Sequence, residues 1–353
     1  MNKGEWSEFY TFLRLLADGK LYAADADLNK IEDLYYPIVK IIRQSKNHKE
    51  PLFYEVGDKK VIIVDSANNN ALSQVSTEKF TINADKLLKI IKNASDSSFE
   101  APEINDFTCE IESPLVKEKS SSKRDITIVI HDINTGHKPE VGFSIKSKLG
   151  GASTLFNANV SNNLKYKVKG LGSVGSEALE RLKLLKAKDL LKGLNENNCI
   201  IEFESVVDGY FESNLHMIDS DFPIILSEVL KLYYSGYSVK INDLTKKVTK
   251  INPCGFKNSE TFPFYEHKIK GFITACALGM TSKKPWNGSF DVSGGYIIVK
   301  ENGDVLCYHI YNWNDFQEYL FNSTFIDTPS TTRHKFGKLE GDSLNLNFQI
   351  RFK

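Results

Sequence analysis

The sequence predicts an α/β protein, and three observations predict it. Residues 125–150 alternate like two strands joined by a turn. A strand, a helix and a further strand follow between 164 and 204. Helical periodicity then runs from Asp208 to about Leu278 before the last third returns to strands.

The elements can be justified in order. Glu5 to Ala17 carries Trp6, Phe9, Phe12, Leu13 and Leu16 as the stripe of an amphipathic helix, with Gly19 as its stop. Strands are expected near Tyr36–Ile42, Leu52–Val56 and Val61–Val64, and a helix over Lys86–Lys92. The serine-rich segment KEKSSSKR, Lys117 to Arg124, reads as an exposed loop feeding the hairpin. In the hairpin, Ile126, Ile128 and Ile130 alternate with polar residues, as do Val141, Phe143 and Ile145, while Asn134, Thr135, Gly136 and Pro139 supply turn chemistry. With Asp132 placed opposite Pro139, Ile126 faces Ile145 and every apolar residue lands on one face. That register puts Asp125 directly opposite Lys146, about 5 Å apart at Cβ. A one-residue slip would split the apolar set between faces; a two-residue slip would keep the face and leave Asp125 and Lys146 diagonal. Leu164 to Val168 alternates with lysines, Ser176 to Leu194 reads as one long basic helix, and Cys199 to Glu204 as a short strand. Tyr296–Lys300, Val305–Ile310 and Leu344–Phe352 are strand candidates, with a helix near Trp313–Phe321 between them.

Composition narrows the function classes. At 353 residues the chain suggests two domains or one elaborated core. It holds 45 Lys and Arg against 45 Asp and Glu, so no global basic signature marks a nucleic-acid binder, and any such surface must be local. Five scattered cysteines, Cys109, Cys199, Cys254, Cys276 and Cys307, lack zinc or redox spacing and read as buried free thiols of a cytoplasmic protein. The N-terminus has no apolar signal region, and no apolar run reaches the ~20 residues of a membrane span.

The hairpin carries the chemistry. Phosphodiester hydrolysis needs a divalent cation that polarises the phosphate and lowers the pKa of the attacking water. Such a hard cation takes carboxylate and carbonyl oxygens, and a neighbouring lysine can orient the water and offset developing charge. An aspartate entering the hairpin beside a lysine leaving it suits that task. The plain alternative is a solvated cross-strand ion pair worth under ~1 kcal/mol. Gly170-x-Gly172-x-x-Gly175 has the form of a dinucleotide-binding turn, with Glu202 or Glu204 as the ribose partner. Lys165, Lys167 and Lys169 wet one face of the strand before it, whereas a first Rossmann strand is buried on both faces. A nucleotide cofactor is therefore not expected, and a dinucleotide enzyme stands only as an alternative.

The opening NKGEWSE, the hairpin segment GFSIKSKLGGASTLFNA and the tail GGYIIVK…YHIY…STTRHKFGK…NLNFQIRF resemble the HpaII family of type II restriction endonucleases, from Asn2 to the C-terminus. That family is similar in turn to the PD-(D/E)xK nucleases. The resemblance implies a restriction-endonuclease-like core, a mixed sheet flanked by helices, with additional helical and C-terminal β-rich elements. It implies cleavage of double-stranded DNA at a short palindrome, CCGG, with Mg²⁺ as cofactor, by a homodimer matched to the two-fold target. On this reading residues 1–115 are an α/β region lending a helix to the active site, 116–205 the nuclease core and 206–353 a recognition region. Asp125 matches the metal-binding aspartate and Lys146 the lysine. Ser144 stands where the pattern has an acid, which leaves room for a DNA-binding relative that has lost catalysis. Ser147 to Tyr166 contains no acid, so the N-terminal helix is the better donor. Glu5, on the inward stripe, and Glu8 are the candidates, their plain alternative being favourable charge in a first helical turn. A main-chain carbonyl near Ile145 could complete the ligand set. For DNA contact the candidates are Ser147, Lys148, Ser153, Thr154, Asn157 and Asn159 after the lysine, and Arg333, His334 and Lys335 in the tail; hydroxyls, amides and cations of this kind position phosphates and read base edges. The lysines of Arg181–Lys192 read instead as a solvated face.

Overall fold

The structure, a computed structural model, describes residues 1–45, 47–96, 98–113, 124–133 and 135–353. Most of the KEKSSSKR loop and Asn134 of the turn lie outside the described residues. Contacts divide the chain into two units. The first holds residues 1–153 and 290–319, the second 154–289 and 320–353. This division does not follow consecutive stretches, because two late strands return to the sheet of the hairpin.

The first unit begins with α1 (Lys3–Asp18), capped by Asn2, whose side chain accepts the Glu5 N–H at 2.9 Å while the Glu5 carboxylate accepts the Asn2 N–H at 3.0 Å. Gly19 ends the helix at φ 62. The strands β1 (Lys20–Ala24), β2 (Lys30–Arg43), β3 (Leu52–Val56), β4 (Lys60–Asp65) and β5 (Asn70–Ser76) follow, then α2 (Thr77–Asn93), α3 (Asn105–Glu110) and the hairpin β6 (Ile126–Ile130) and β7 (Glu140–Ser147). β1 and β5 escaped the sequence reading: β1 ends in two adjacent buried alanines, which carry little strand signal, and β5 is mostly exposed. After the second unit the chain returns with β11 (Gly295–Val299) and β12 (Val305–His309), whose residues are all buried. β11 runs parallel to β7, and β1 parallel to β12; the other pairings are antiparallel. Because β1 pairs with both β12 and β2, the strands β1, β12, β11, β7, β6 and β2 close into a ring, and β3, β4 and β5 extend from β2. Phe9, Phe12, Leu13 and Leu16 of α1 share one core with Ile126, Ile128, Ile130, Val141, Phe143 and Ile145. Phe12 meets the ring of Tyr54 edge-on at 4.8 Å. Each such buried side chain contributes roughly 1.5–3 kcal/mol, so the hairpin's alternation and the helix stripe are two sides of one hydrophobic contact.

The expected register needs correction. Ile126 pairs with Phe143 and Ile128 with Val141, the two-residue slip. Glu140 consequently faces Val129. The cause is the turn. Buried Asp132 accepts the Thr135 hydroxyl at 2.7 Å, its carbonyl accepts the Gly136 N–H at 2.8 Å, and its own N–H donates to the His137 carbonyl at 2.9 Å. The loop closes on His137 rather than Pro139, and all later pairs shift with it.

The second unit comprises β8 (Thr154–Phe156), β9 (Leu164–Lys169), α4 (Ser176–Leu184), α5 (Ala187–Glu196), β10 (Ile200–Val206), α6 (Gly209–Ile218), α7 (Phe222–Tyr234), α8 (Ile241–Ile251) and α9 (Phe264–Leu278). Past α10 (Trp313–Ser323) it adds β13 (Thr324–Asp327), α11 (Thr331–His334), β14 (Leu339–Glu340), β15 (Ser343–Leu346) and β16 (Gln349–Phe352). β9 and β10 do not join the sheet of the hairpin; they form a separate sheet in the order β10-β9-β15-β14. The long basic helix is two helices, broken where Leu185 is extended at ψ 155. The break lets Leu182 fold onto α5 at Gly193, where a Cβ would sit 2.6 Å from the leucine. The expected strand Leu344–Phe352 also divides, around Asn347, whose Nδ2 donates to the Asn159 carbonyl and to Asn163 Oδ1. Cys199, Cys276 and Cys307 are buried, but Cys109 is exposed and Cys254 partly so; none of the five forms a disulfide. Among the described residues no helix is long and apolar enough to cross a membrane.

Candidate active site

Asp125 stands at the entrance to β6, where its N–H donates to the Phe143 carbonyl at 2.8 Å. Its Oδ2 accepts two hydrogen bonds, from Ser144 Oγ at 3.0 Å and from the Ile145 N–H at 2.7 Å. No described residue donates to Oδ1. Ser144, buried within β7, therefore fixes the orientation of the aspartate. The sequence led us to expect an acid at this position; the serine there donates to Asp125.

Lys146 lies two residues beyond Ser144 and so on the same face of β7. Its ammonium sits 5.5 Å from the centroid of the Tyr296 ring on β11. It forms no ion pair with Asp125 within 4.0 Å, which corrects the directly opposed pair expected from the sequence and removes the reading of a simple surface salt bridge.

A second carboxylate near Asp125 comes from the N-terminal helix. Glu8 is half-buried and makes no hydrogen bond or ion pair with a described residue. Its pKa is pushed up to about 7, first by burial and then by the Asp125 charge, with Glu5 adding to the rise and Lys146 and Arg43 opposing it. Asp125 and Lys146 thus both act electrostatically on Glu8. Glu5 has a different occupation, closing the capping box at the start of α1. Among the described residues no three His, Cys, Asp or Glu side chains gather into one metal-holding group.

Two cations near this cluster were missed in the sequence. Arg43, at the end of β2, stacks on Phe9 and Phe12 and donates from Nε to Ser113. Arg124 lies over Gly142, where a Cβ would come within 2.8 Å of its Cδ. A glycine inside a strand signals such close approach, so Gly142 was the available clue for Arg124. Nothing local announced Arg43.

The expected DNA contacts are distributed over both units. Ser147, Lys148 and Ser153 belong to the first; Thr154, Asn157, Asn159, Arg333, His334 and Lys335 belong to the second. Ser147 Oγ accepts the Leu149 N–H, and Lys148 is exposed. Asn159 caps a short turn through Ser161, and Asn157 offers its carbonyl to Asn162. Arg333 and Lys335 are exposed, and His334 has its pKa lowered by burial and by the charges of Arg333 and Lys283. In the glycine turn, Gly170 takes φ 90 and leads into a short 3₁₀ turn, while Lys165 and Lys169 pair with Glu204 and Glu202, the acids that would have served a ribose.

A family model described as HpaII restriction endonuclease matches residues 2–352. The type II restriction enzyme HpaII of Haemophilus parainfluenzae is 40% identical over 356 residues, covering 99% of this chain and 98% of its own length. No solved structure matches this chain.

Proposed function

Since the chain belongs to the HpaII restriction endonuclease family and is a type II site-specific deoxyribonuclease, we propose that it cuts both strands of DNA at the palindrome CCGG with a Mg²⁺ ion held between Asp125 and Glu8. The supporting observation is two carboxylates with unclaimed oxygens, Oδ1 of Asp125 and both of half-buried Glu8, close enough for one charge to raise the pKa of the other. Two carboxylates repelling one another beside a lysine are a donor set that a hard cation would satisfy, with water completing its shell. When bound, the ion would polarise a phosphate oxygen and lower the pKa of a coordinated water.

The residues of the chain divide the remaining work. Ser144 and the Ile145 N–H hold Oδ2 of Asp125, so Oδ1 is the oxygen presented. Glu8 supplies the acid that Ser144 does not, and Glu5 orders the helix that carries it. Lys146, steadied over Tyr296, orients the attacking water and offsets charge on the phosphate. The hairpin is thereby assigned the part of the metal-binding hairpin of PD-(D/E)xK nucleases. Ser147, Lys148, Ser153, Thr154, Asn157, Asn159, Arg333, His334 and Lys335 are assigned to DNA contact, in a cytoplasmic homodimer that offers one site per strand.

Plasmid carrying CCGG sites, incubated with the protein and Mg²⁺, tests this reading. Discrete fragments ending at CCGG are expected. Site-specific binding without fragments would instead mark a relative that has lost catalysis.

A further inference from the structure

The chain's zero net charge conceals a division between its two units. The second unit, residues 154–289 and 320–353, carries 23 Lys and Arg against 17 Asp and Glu, a net +6; the first carries 22 against 28, a net −6. In the second unit a cavity of about 630 Å³ opens among β9, the break between α4 and α5, and the segment from Thr331 to Asn345. Five lysines line it, Lys165, Lys183, Lys186, Lys335 and Lys338, against one acid, Glu340. Lys165 is paired with Glu204 and Lys183 with Glu180. Lys186, Lys335 and Lys338 have no carboxylate within 4.0 Å among the described residues.

The backbone is arranged to hold these cations together. Gly337, at φ 76, brings its segment against the start of α5; a Cβ there would lie 2.8 Å from that of Ala187. Lys335 itself adopts the left-handed conformation at φ 50, unfavourable for a side-chain-bearing residue. Lys186 stands at the N-cap of α5 with no side chain capping that helix end. The rim is also apolar, with Leu184 87% and Val207 50% exposed. Unpaired ammonium groups beside exposed aliphatic surface match a polymer of phosphates and deoxyribose better than a free phosphate ion.

We propose that this lysine-lined cleft is a DNA-backbone-binding surface, in which Lys186 and Lys338, beyond the tail residues already assigned, each neutralise a phosphate of the duplex. The proposal rests on the endonuclease reading and adds a site made by the α4–α5 break, whose lysines looked in the sequence like a solvated face.

The test is the salt dependence of binding to a CCGG duplex without divalent metal, for the wild type, for Lys186→Ala/Lys338→Ala, and for Lys246→Ala/Lys250→Ala on α8 as a charge-matched control. Each phosphate contact contributes about 0.9 to the slope of log K against log salt. The cleft variant should lose about 1.8 of that slope and bind roughly ten- to a hundredfold more weakly at 0.1 M salt, and the control should match the wild type. A cleft variant with wild-type slope and affinity, or a control that loses as much, would overturn the cleft while leaving the endonuclease reading intact. A wild-type protein that neither binds nor cuts CCGG DNA would overturn both.

Discussion

A single oxygen illustrates how the site works at the scale of residues. Oδ2 of Asp125 is held by Ser144 and by the Ile145 N–H, so the carboxylate cannot rotate freely. The places of Asp125 and Lys146 in the hairpin were legible in the sequence because one precedes and the other lies near the end of an alternating strand. Their spacing was not, because it depends on how a distant turn closes. The proposed preference for Glu8 over Glu5 was not legible either: both lie in the first turns of α1, and only tertiary packing brings Asp125 up to Glu8. Lys146→Ala should abolish cutting yet leave site-specific binding within about tenfold, as gel-shift and cleavage assays would show; equal loss of binding would make the lysine a docking contact. Glu8 also leaves a signature on stability. Its pKa in the folded chain, about 7, lies above the ordinary 4.5. Below pH 4.5 both folded and unfolded chains keep the proton and the group costs nothing. Between 4.5 and 7 the unfolded chain releases it first, so stability falls as pH rises, and above 7 the penalty is constant. In EDTA, Glu8→Gln should therefore be about 1–3 kcal/mol more stable than the wild type at pH 8 and nearly equal to it at pH 4, since each tenfold difference in proton affinity between the folded and unfolded chain is worth about 1.4 kcal/mol. Urea denaturation at the two pH values checks this, and an equal difference at both would contradict it.

Among the elements, the hairpin is the most instructive. Its strands were readable from alternation, but alternation is blind to a slip of two residues, which keeps every side chain on its face. The turn decides, and it does so through the buried carboxylate of Asp132. Asp132→Ala removes the Thr135 bond from a buried position and should cost about 1–3 kcal/mol. Loosening the register should also impair cleavage, although the variant lies at the opposite end of the hairpin from Asp125; wild-type stability and activity would show that the strands alone set the pairing. The division of Ser176–Leu194 into α4 and α5 was hidden for a related reason. Each helix has ordinary propensity, and the break is favoured by tertiary contact, with Leu182 and Leu185 both meeting Gly193.

At the scale of the whole molecule, the order of elements along the chain misled more than their identities. The sequence suggested that the strands following the hairpin, β9 and β10, would complete its sheet. The sheet is instead completed by β11 and β12, about 150 residues later, and by β1 and β2. Fully buried β11 and β12 show no alternation, so nothing in them names their neighbour. A two-fold target and one site per chain lead to the expectation of two protomers per CCGG duplex, measurable by sedimentation of the metal-free complex; one protomer per duplex would require the strands to be cut in succession.

The cation between Asp125 and Glu8 is the assignment on which the rest depends, and binding of Mn²⁺ followed by electron paramagnetic resonance addresses it directly. Glu8→Gln and Asp125→Asn should each abolish the high-affinity ion, while Glu5→Gln, which disturbs the helix cap, should retain it. Wild-type Mn²⁺ binding by Glu8→Gln, together with its loss in Glu5→Gln, would contradict the assignment.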